Sequence, residues 1–343
     1  MGQRMTNLMA KPAAILVIAL LTACRTTPAE SDWQLYSYTQ PEMGVDFAIQ
    51  FYAPDNATAR HAAKAVFDRV EALNAIFSDY DPDSELSRLT RKPVGKPVQV
   101  SPELFAVLRR AQKLARETSG AFDITAGPYT QLWRVARRQK KLTTPIVLKA
   151  VARSVGHQKL RLDPRNRTVT CLSPDMRLDL GGIAKGLATD EALAILRRNN
   201  LTRARCAASG DIVLGEPPPG EDGWAVGIPA IDQQGNLYRR TLRLRNCAVS
   251  TSGDTFQFVE INGQRYSHIV DPRTGLGLTN RIMVTVIAPT GMETDCQATA
   301  ISVMGVKPGI RHADRNKLAA IITPVDGSLK SPRMSAEWHS RFD

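Results

Sequence analysis

The sequence of 343 residues holds no C-x-x-C pair, no H-E-x-x-H and no G-x-S-x-G. Those absences remove dithiol redox centres, zincin-type proteases and the nucleophile elbow of α/β-hydrolases. Cysteine and histidine also lack the spacing of a zinc site. No Gly-, Ser- or Pro-rich linker and no internal repeat divides the chain, so one compact unit of intertwined subdomains is expected rather than a string of modules. Acidic residues are in deficit: 33 Asp and Glu stand against 45 Lys and Arg, a formal net charge of +12. A basic surface favours anionic ligands and membranes. Nucleic acid is not the expected partner, since no nucleic-acid-binding module is visible. With 43% hydrophobic and 23% charged residues, what remains is an ordinary globular chain with a sizeable core.

The first two dozen residues read as an export signal. Arg4 and Lys11 precede the apolar run Pro12 to Leu21, which is too short to span a bilayer permanently. Leu21-Thr22-Ala23-Cys24 resembles a bacterial lipobox. On that resemblance residues 1–23 are a lipoprotein signal peptide, Cys24 is the lipidated first residue of the mature chain, 24–40 form a tether and 41–340 the folded domain, held on the periplasmic side of a bacterial membrane. Loss of Arg4 and Lys11 would leave 43 basic against 33 acidic residues, or +10. Cys171, Cys206, Cys247 and Cys296 remain, and no pairing among them is assigned. The cluster Arg137-Arg138-Gln139-Lys140-Lys141 reads as a solvated face, with contact to anionic headgroups as the alternative.

Alternation of Val45, Phe47, Ile49 and Phe51 predicts a strand, and Ala63, Val66, Val70, Leu73 and Phe77 predict a helix over about 57–77. Ser101-Pro102 opens a second helix that stops at Ser119-Gly120, and Thr144-Pro145 opens a third that runs to Gly156. Strands are expected near 160–162, 168–171 and 177–180, then a helix over 188–199, hairpins, and a helix over about 295–304. Asn262-Gly263 marks a hairpin whose second strand would carry Tyr266, His268 and Val270 on one face before Asp271-Pro272 ends it. Helices and strands mix without strict alternation, so the fold class is α+β.

Chemistry gathers at a few places. Asp179-Leu180-Gly181-Gly182-Ile183-Ala184-Lys185-Gly186 runs through paired glycines toward a helix, where bare amides and Lys185 suit an anion as well as they suit a tight turn. Asp295 and Thr299 stand one helical turn apart and offer a carboxylate and a hydroxyl, a partial shell for Mg²⁺ or else a helix-dipole partner and a packed side chain. Asp79 to Thr90 has acids at alternate positions but lacks the glycine and the final glutamate of a calcium loop. Gly120-Ala121-Phe122-Asp123 pairs an aromatic with a carboxylate, suitable for a flat ring with polar edges. His268 and Asp271 are candidate proton acceptors.

In this order the segments Met43-Gly44, Phe77 to Leu86, Gly120 to Thr125, Asp179 to Gly186, Ser209 to Ile212, Ser250 to Asp254, Tyr266 to Gly275 and Asp295 to Thr299 resemble the ApbE family, the FAD:protein FMN transferases. The resemblance covers nearly the whole mature chain. It implies an enzyme that takes FAD and Mg²⁺, attaches FMN through a phosphoester to a threonine or serine of another protein, and releases AMP. It further implies metal ligation by Asp295, Thr299 and the carbonyl of Gly182. FAD would be held by Met43, Tyr80, Ala121, Phe122, Asp123, Asp179, Lys185 and the backbone at His268 and Ile269.

The expected proton acceptor is His268, oriented by Asp271 or Arg273, with Asp271 as its rival. The expected partners are acceptor proteins with an Asp-Gly-x-Ser/Thr-Gly-Ala-Ser/Thr pattern, typically respiratory electron-transfer subunits. Thr118-Ser119-Gly120-Ala121 approaches that pattern, but Phe122 fills its last position, so the flavin should go elsewhere. Three departures stand out: Val45 replaces a frequent Thr, Ala208-Ser209 a usual Gly, and Gln297 a common Leu. An FAD pyrophosphatase and a non-catalytic FAD-binding lipoprotein are the alternative readings.

Overall fold

The computed structural model describes residues 33–232, 236–253, 257–325 and 331–342. The proposed lipidation site Cys24 and the end of the Ser250 to Asp254 segment lie outside them. Its helices are α1 (Asn56–Phe77), α2 (Glu85–Thr90), α3 (Pro102–Glu117), α4 (Gly127–Gln139), α5 (Pro145–Val151), α6 (Ala184–Arg198), α7 (Gly291–Met304), α8 (Val306–Arg315) and α9 (Ala336–Phe342).

An eight-stranded sheet carries the fold. Side by side, its strands are Gln34–Glu42, Val45–Ala53, Ala204–Ala208, Asp211–Leu214, Cys247–Gly253, Ile282–Ala288, Ala319–Pro324 and Arg333–Met334, every neighbour antiparallel. Alternate residues along each strand face opposite sides, and both sides of the sheet centre are covered. Val284 and Val286 pack with Ala298 and Ile301 of α7. Ile287, the next residue along, turns to the other side, where Trp338 of α9 and the hairpin Trp224–Ile231/Leu237–Leu244 close a second core. All seven residues of Ile282–Ala288 are therefore buried. The largest core lies under α1, α3 and α6 and takes in Phe47, Phe51, Val66, Leu104 and Leu196. A mixed arrangement of antiparallel sheet and helices is the α+β class expected from the sequence.

Local signals explain most helix ends. The Asp55 side chain accepts from the Thr58 amide ahead of α1, and Ser101 accepts from the Leu104 amide ahead of α3. Ser119 and Gly120 then stop α3 with positive φ of 51° and 80°. The strand at 177–180 does not form. That stretch has no regular structure, and the Asp179 amide donates to the Ile124 carbonyl. α6 starts at Ala184, earlier than expected, so Lys185 and Gly186 belong to its first turn. α5 stops at Val151 rather than Gly156, because the chain beyond it is tied down elsewhere. The Gly156 amide donates to Thr125 Oγ1 (2.7 Å) and the His157 amide to Asp123 Oδ2 (2.8 Å).

The hairpin at Asn262-Gly263 forms between Phe258–Ile261 and Gln264–Ser267, but its second strand ends at Ser267, so His268 and Val270 do not continue Tyr266 along one face. There the chain changes partners: Ser267 donates to the Leu278 carbonyl, and Val270 bridges to Gly277.

Candidate active site

Five adjacent strands of the large sheet end together, at Val45, Ala208, Asp211, Gly253 and Ile282. Above these ends opens a cavity of about 900 Å³. The Gly181-Gly182 turn, the first turn of α6 and one side of α7 form its inner wall; α4 and the turn at His268 form its outer wall.

Close approach of α6 to α7 builds the inner wall. A side chain at Gly186 would place its Cβ 2.0 Å from the Gly291 carbonyl oxygen. With glycine there, the Gly186 amide donates to Asp295 Oδ2 at 3.1 Å. Gly182 plays the same part toward Thr299, whose Oγ1 lies 3.0 Å from where a Cβ would stand. Lys185 reaches into the gap, donates to the Gly181 carbonyl (2.8 Å), and lies 3.2 Å from Asp211 Oδ2 and 3.7 Å from Asp295 Oδ2.

Electrostatics follow from that triangle. Burial disfavours the Lys185 ammonium, yet Asp211 and Asp295 outweigh it and hold its pKa above the ordinary lysine range. Burial and the neighbouring Asp211 push the Asp295 carboxyl up to about 7, against the opposing pull of Lys185 and the Gly186 amide. The sequence reading did not give Asp211 a role. Its Ser209-Gly210-Asp211 turn was visible, but the pairing with a lysine 26 positions upstream exists only once the sheet and α6 are in place.

The donors meeting beside Lys185 are hard oxygens: the Asp295 carboxylate, the Thr299 hydroxyl and the backbone of the Gly181-Gly182 turn, with Ser252 Oγ 3.5 Å from Thr299 Oγ1. Such a set fits Mg²⁺ and lacks the nitrogen or sulfur a softer cation would favour.

The outer wall is organised by α4, a helix absent from the sequence reading although Tyr129, Trp133 and Ala136 follow helical spacing. Trp133 Nε1 donates to the Ser267 carbonyl at 3.0 Å and anchors the turn that carries His268. The next residue, Arg134, donates through Nη1 to Asp79 Oδ2 (2.6 Å), lies with Nη2 3.6 Å from Asp179 Oδ2, and stacks over the Tyr80 ring, 4.0 Å from its centroid. Burial and Asp179 raise the Asp79 pKa in spite of Arg134. Tyr80 itself is 75% exposed, a flat aromatic face at the mouth of the cavity.

Met43, Tyr80, Ala121, Phe122, Asp123, Asp179, Gly182, Lys185, His268, Ile269, Asp295 and Thr299 all line this one cavity. Asp123 has structural duties as well, since Oδ1 accepts from the amide and hydroxyl of Thr125 and Oδ2 from the His157 amide. Asp179 Oδ1 accepts from the Gly181 amide and fixes the glycine turn. Asp271 stands apart. It is not in the cavity lining, and Arg273 takes both its oxygens, at 2.8 and 2.7 Å. The expectation that Asp271 or Arg273 orients His268 gives way to another partner: His268 Nδ1 lies 3.2 Å from the Gln257 carbonyl. A carbonyl only accepts, so Nδ1 is the donor in this contact.

Residues 43–322 match the sequence model of the ApbE family. The chain belongs to the ApbE family. It is 29% identical over 333 residues to the FAD:protein FMN transferase of Haemophilus influenzae, spanning 93% of this chain and 95% of that one. A Vibrio cholerae FAD:protein FMN transferase is 30% identical over 326 residues, 92% and 94% of the two chains. Among solved structures, the flavin transferase ApbE from Vibrio cholerae aligns with a TM-score of 0.81 at 27% identity, covering 90% of this chain and 99% of that one. The ApbE protein from Thermotoga maritima aligns with a TM-score of 0.77 at 26% identity, over 90% and 99%. This ApbE chain therefore shares its fold with relatives along almost its whole length.

Proposed function

We propose that this ApbE-family chain is an FAD:protein FMN transferase like its curated relatives, that it requires Mg²⁺, and that it moves FMN from FAD to a threonine or serine hydroxyl of an acceptor protein with release of AMP. One observation carries this reading. The Lys185 ammonium, the oxygen donors Asp295 and Thr299, and the His268 imidazole open onto a single cavity of about 900 Å³, large enough for a dinucleotide.

In the reaction, the acceptor oxygen forms a bond to the FMN-side phosphorus of FAD while the bond from that phosphorus to the AMP oxygen breaks. The acceptor proton passes to His268 Nε2, whose lone pair the Gln257 contact orients. Lys185 sets a full positive charge beside the glycine turn, where the pyrophosphate would lie. Asp295, Thr299 and the Gly182 carbonyl would hold Mg²⁺, which when bound offsets charge on the phosphate oxygens. Arg134 props the Tyr80 ring as a platform for the isoalloxazine.

Acceptors are proposed to carry the Asp-Gly-x-Ser/Thr-Gly-Ala-Ser/Thr pattern and to be respiratory electron-transfer subunits. The chain's own approach to that pattern ends on Phe122, which is buried and has no hydroxyl to accept FMN. Lipidation at Cys24 and a periplasmic, membrane-held location complete the proposal.

The deciding experiment incubates an acceptor fragment with the protein, FAD and Mg²⁺ and reads its intact mass alongside AMP. An FMN-sized gain that needs both Mg²⁺ and the acceptor hydroxyl is expected. AMP without that gain would replace the transferase with a pyrophosphatase.

A further inference from the structure

From Ile124 to Leu162 the chain runs 39 residues without a single Asp or Glu while carrying nine Lys and Arg. This stretch forms α4, α5 and the turns around them. Tyr129, Trp133 and Ala136 of α4 form the inner side of a small core, and Leu142, Leu148, Val151 and Val155 pack against it. What is left on the outside is Arg138, Lys140, Lys141, Lys149 and Arg153, all exposed. None of the five has a carboxylate partner among the described residues. Between them stand Ile146, 82% exposed, and Val147, 40% exposed, on a helix that buries no residue completely.

A surface that is merely solvated mixes both signs of charge, and cations crowded together repel unless something anionic faces them. The aliphatic tips narrow the choice of partner. Protein interfaces are depleted in lysine and enriched in aromatics, whereas three of these five cations are lysines and the apolar residues beside them are Ile and Val. Lysine and arginine ringing a short aliphatic projection is the pattern that settles at a lipid headgroup boundary.

We infer that the α4–α5 surface, with Lys140, Lys141, Lys149 and Arg153 around Ile146, docks on an anionic phospholipid bilayer. The consequence is orientation. α4 also supplies Arg134 and Arg137 to the wall of the active-site cavity, so docking through its C-terminal end would hold the mouth of that cavity beside the headgroups. A hydroxyl on a membrane-bound acceptor would then be met at the right height. The inference stands independently of the transfer reaction, because its readout is binding to lipid.

The test uses the full chain carrying Cys24→Ser, so that no acyl group contributes, and compares sedimentation with phosphatidylcholine vesicles and with vesicles that also contain phosphatidylglycerol. The leader contributes to binding on both, and the gain on the anionic vesicles is the quantity of interest. Each cation near such a surface is worth about fivefold in partitioning, so Lys140→Gln/Lys141→Gln/Lys149→Gln should cut that gain by on the order of a hundredfold. Ile146→Ser, which alters no charge at a site already in water, should weaken anionic binding by about tenfold.

Equal binding to the two vesicle types would overturn the inference, as would a triple variant that keeps its gain within about twofold. If vesicle binding were unchanged while transfer to a soluble acceptor slowed, the surface would belong to a protein partner instead, and the lipid assignment would fall.

Discussion

His312 Nε2 lies 2.7 Å from Gln297 Oε1, and both side chains are buried. Gln297 Nε2 donates to Glu293 Oε1 at 2.8 Å, so its oxygen is the atom facing the imidazole and His312 must carry its proton on Nε2. On the far side Asn316 Nδ2 approaches His312 Nδ1 at 3.3 Å. Glu293 in turn holds Arg110 at 2.6 Å. A polar chain thus links α3, α7 and α8 through Gln297.

A second proton on His312 would confront the Asn316 amide group, and burial, then Arg315, already lower its pKa, with Arg110 adding to them and Glu117 and Glu293 opposing. The folded state therefore binds fewer protons than the unfolded state below the ordinary value of 6.5. The stability His312 contributes is complete above that value and is lost as pH falls through its lowered folded pKa. Denaturant titrations across this range should show the decline in the wild type and a flatter curve in His312→Leu/Gln297→Leu. Gln297→Leu alone should cost about 1–3 kcal/mol, because it strands the His312 donor and part of Glu293. A double variant no better than the single would refute the network.

For His268, the Gln257 contact predicts a role through Nε2. His268→Ala should lower the transfer rate by about a hundredfold or more with little effect on FAD affinity. Asp271→Asn should alter the turn held by Arg273 and cost far less in rate. A rate within a few fold of wild type for His268→Ala would exclude it as the base.

At the inner wall, Lys185 is the cation that two buried carboxylates share. Lys185→Met should destabilise the apoprotein by about 3–5 kcal/mol near neutral pH, since it leaves Asp211 and Asp295 facing each other. Lys185 lowers the Asp295 pKa, so without it the carboxyl takes up a proton still more readily, and the loss should shrink as pH falls below neutral. Asp295→Asn should keep the fold and abolish the rise in melting temperature that the proposed Mg²⁺ site predicts with FAD, one of about 2.7 kcal/mol at a hundred times Kd. Unfolding curves at and below neutral pH check the first statement, and thermal shifts with and without the metal check the second.

The sequence was most readable where a residue carries its message locally. Ser101 and the Asn262-Gly263 turn set element ends within three residues of themselves, and Asp295 with Thr299 needed only helical spacing to be seen as a pair. Legibility failed where the cause lay far along the chain. No pattern near Asp179 reveals that its stretch bonds to Ile124 instead of joining a sheet. α4 was hidden by its own charge, because the arginines and lysines at its C-terminal end drew attention from Tyr129, Trp133 and Ala136. With α4 went Arg134, the residue that ties Asp79, Asp179 and Tyr80 together. α8 was missed as well. Its buried His312 makes sense only beside Gln297 of the preceding helix, and neither residue announces the other in sequence.

Two turns at the cavity hold residues in a conformation that suits glycine or asparagine better. Met43 and Gly44 join the first two strands with φ of 51° and 76°, the two-residue hairpin turn that favours Asn-Gly, and Ser209 sits at φ 58°. A left-handed residue with a side chain costs on the order of 1 kcal/mol. At Met43 the cost is tolerated because the side chain lines the cavity. Met43→Asn should therefore raise the melting temperature of the apoprotein while weakening FAD binding. Ser209→Gly removes no large side chain from the lining, so it should stabilise less visibly, because the added freedom of the unfolded chain offsets relief of strain. Differential scanning calorimetry and fluorescence titration with FAD separate the two effects. If Met43→Asn bound FAD as tightly as the wild type while melting higher, Met43 would have no part in holding the flavin, and its left-handed backbone would need another explanation.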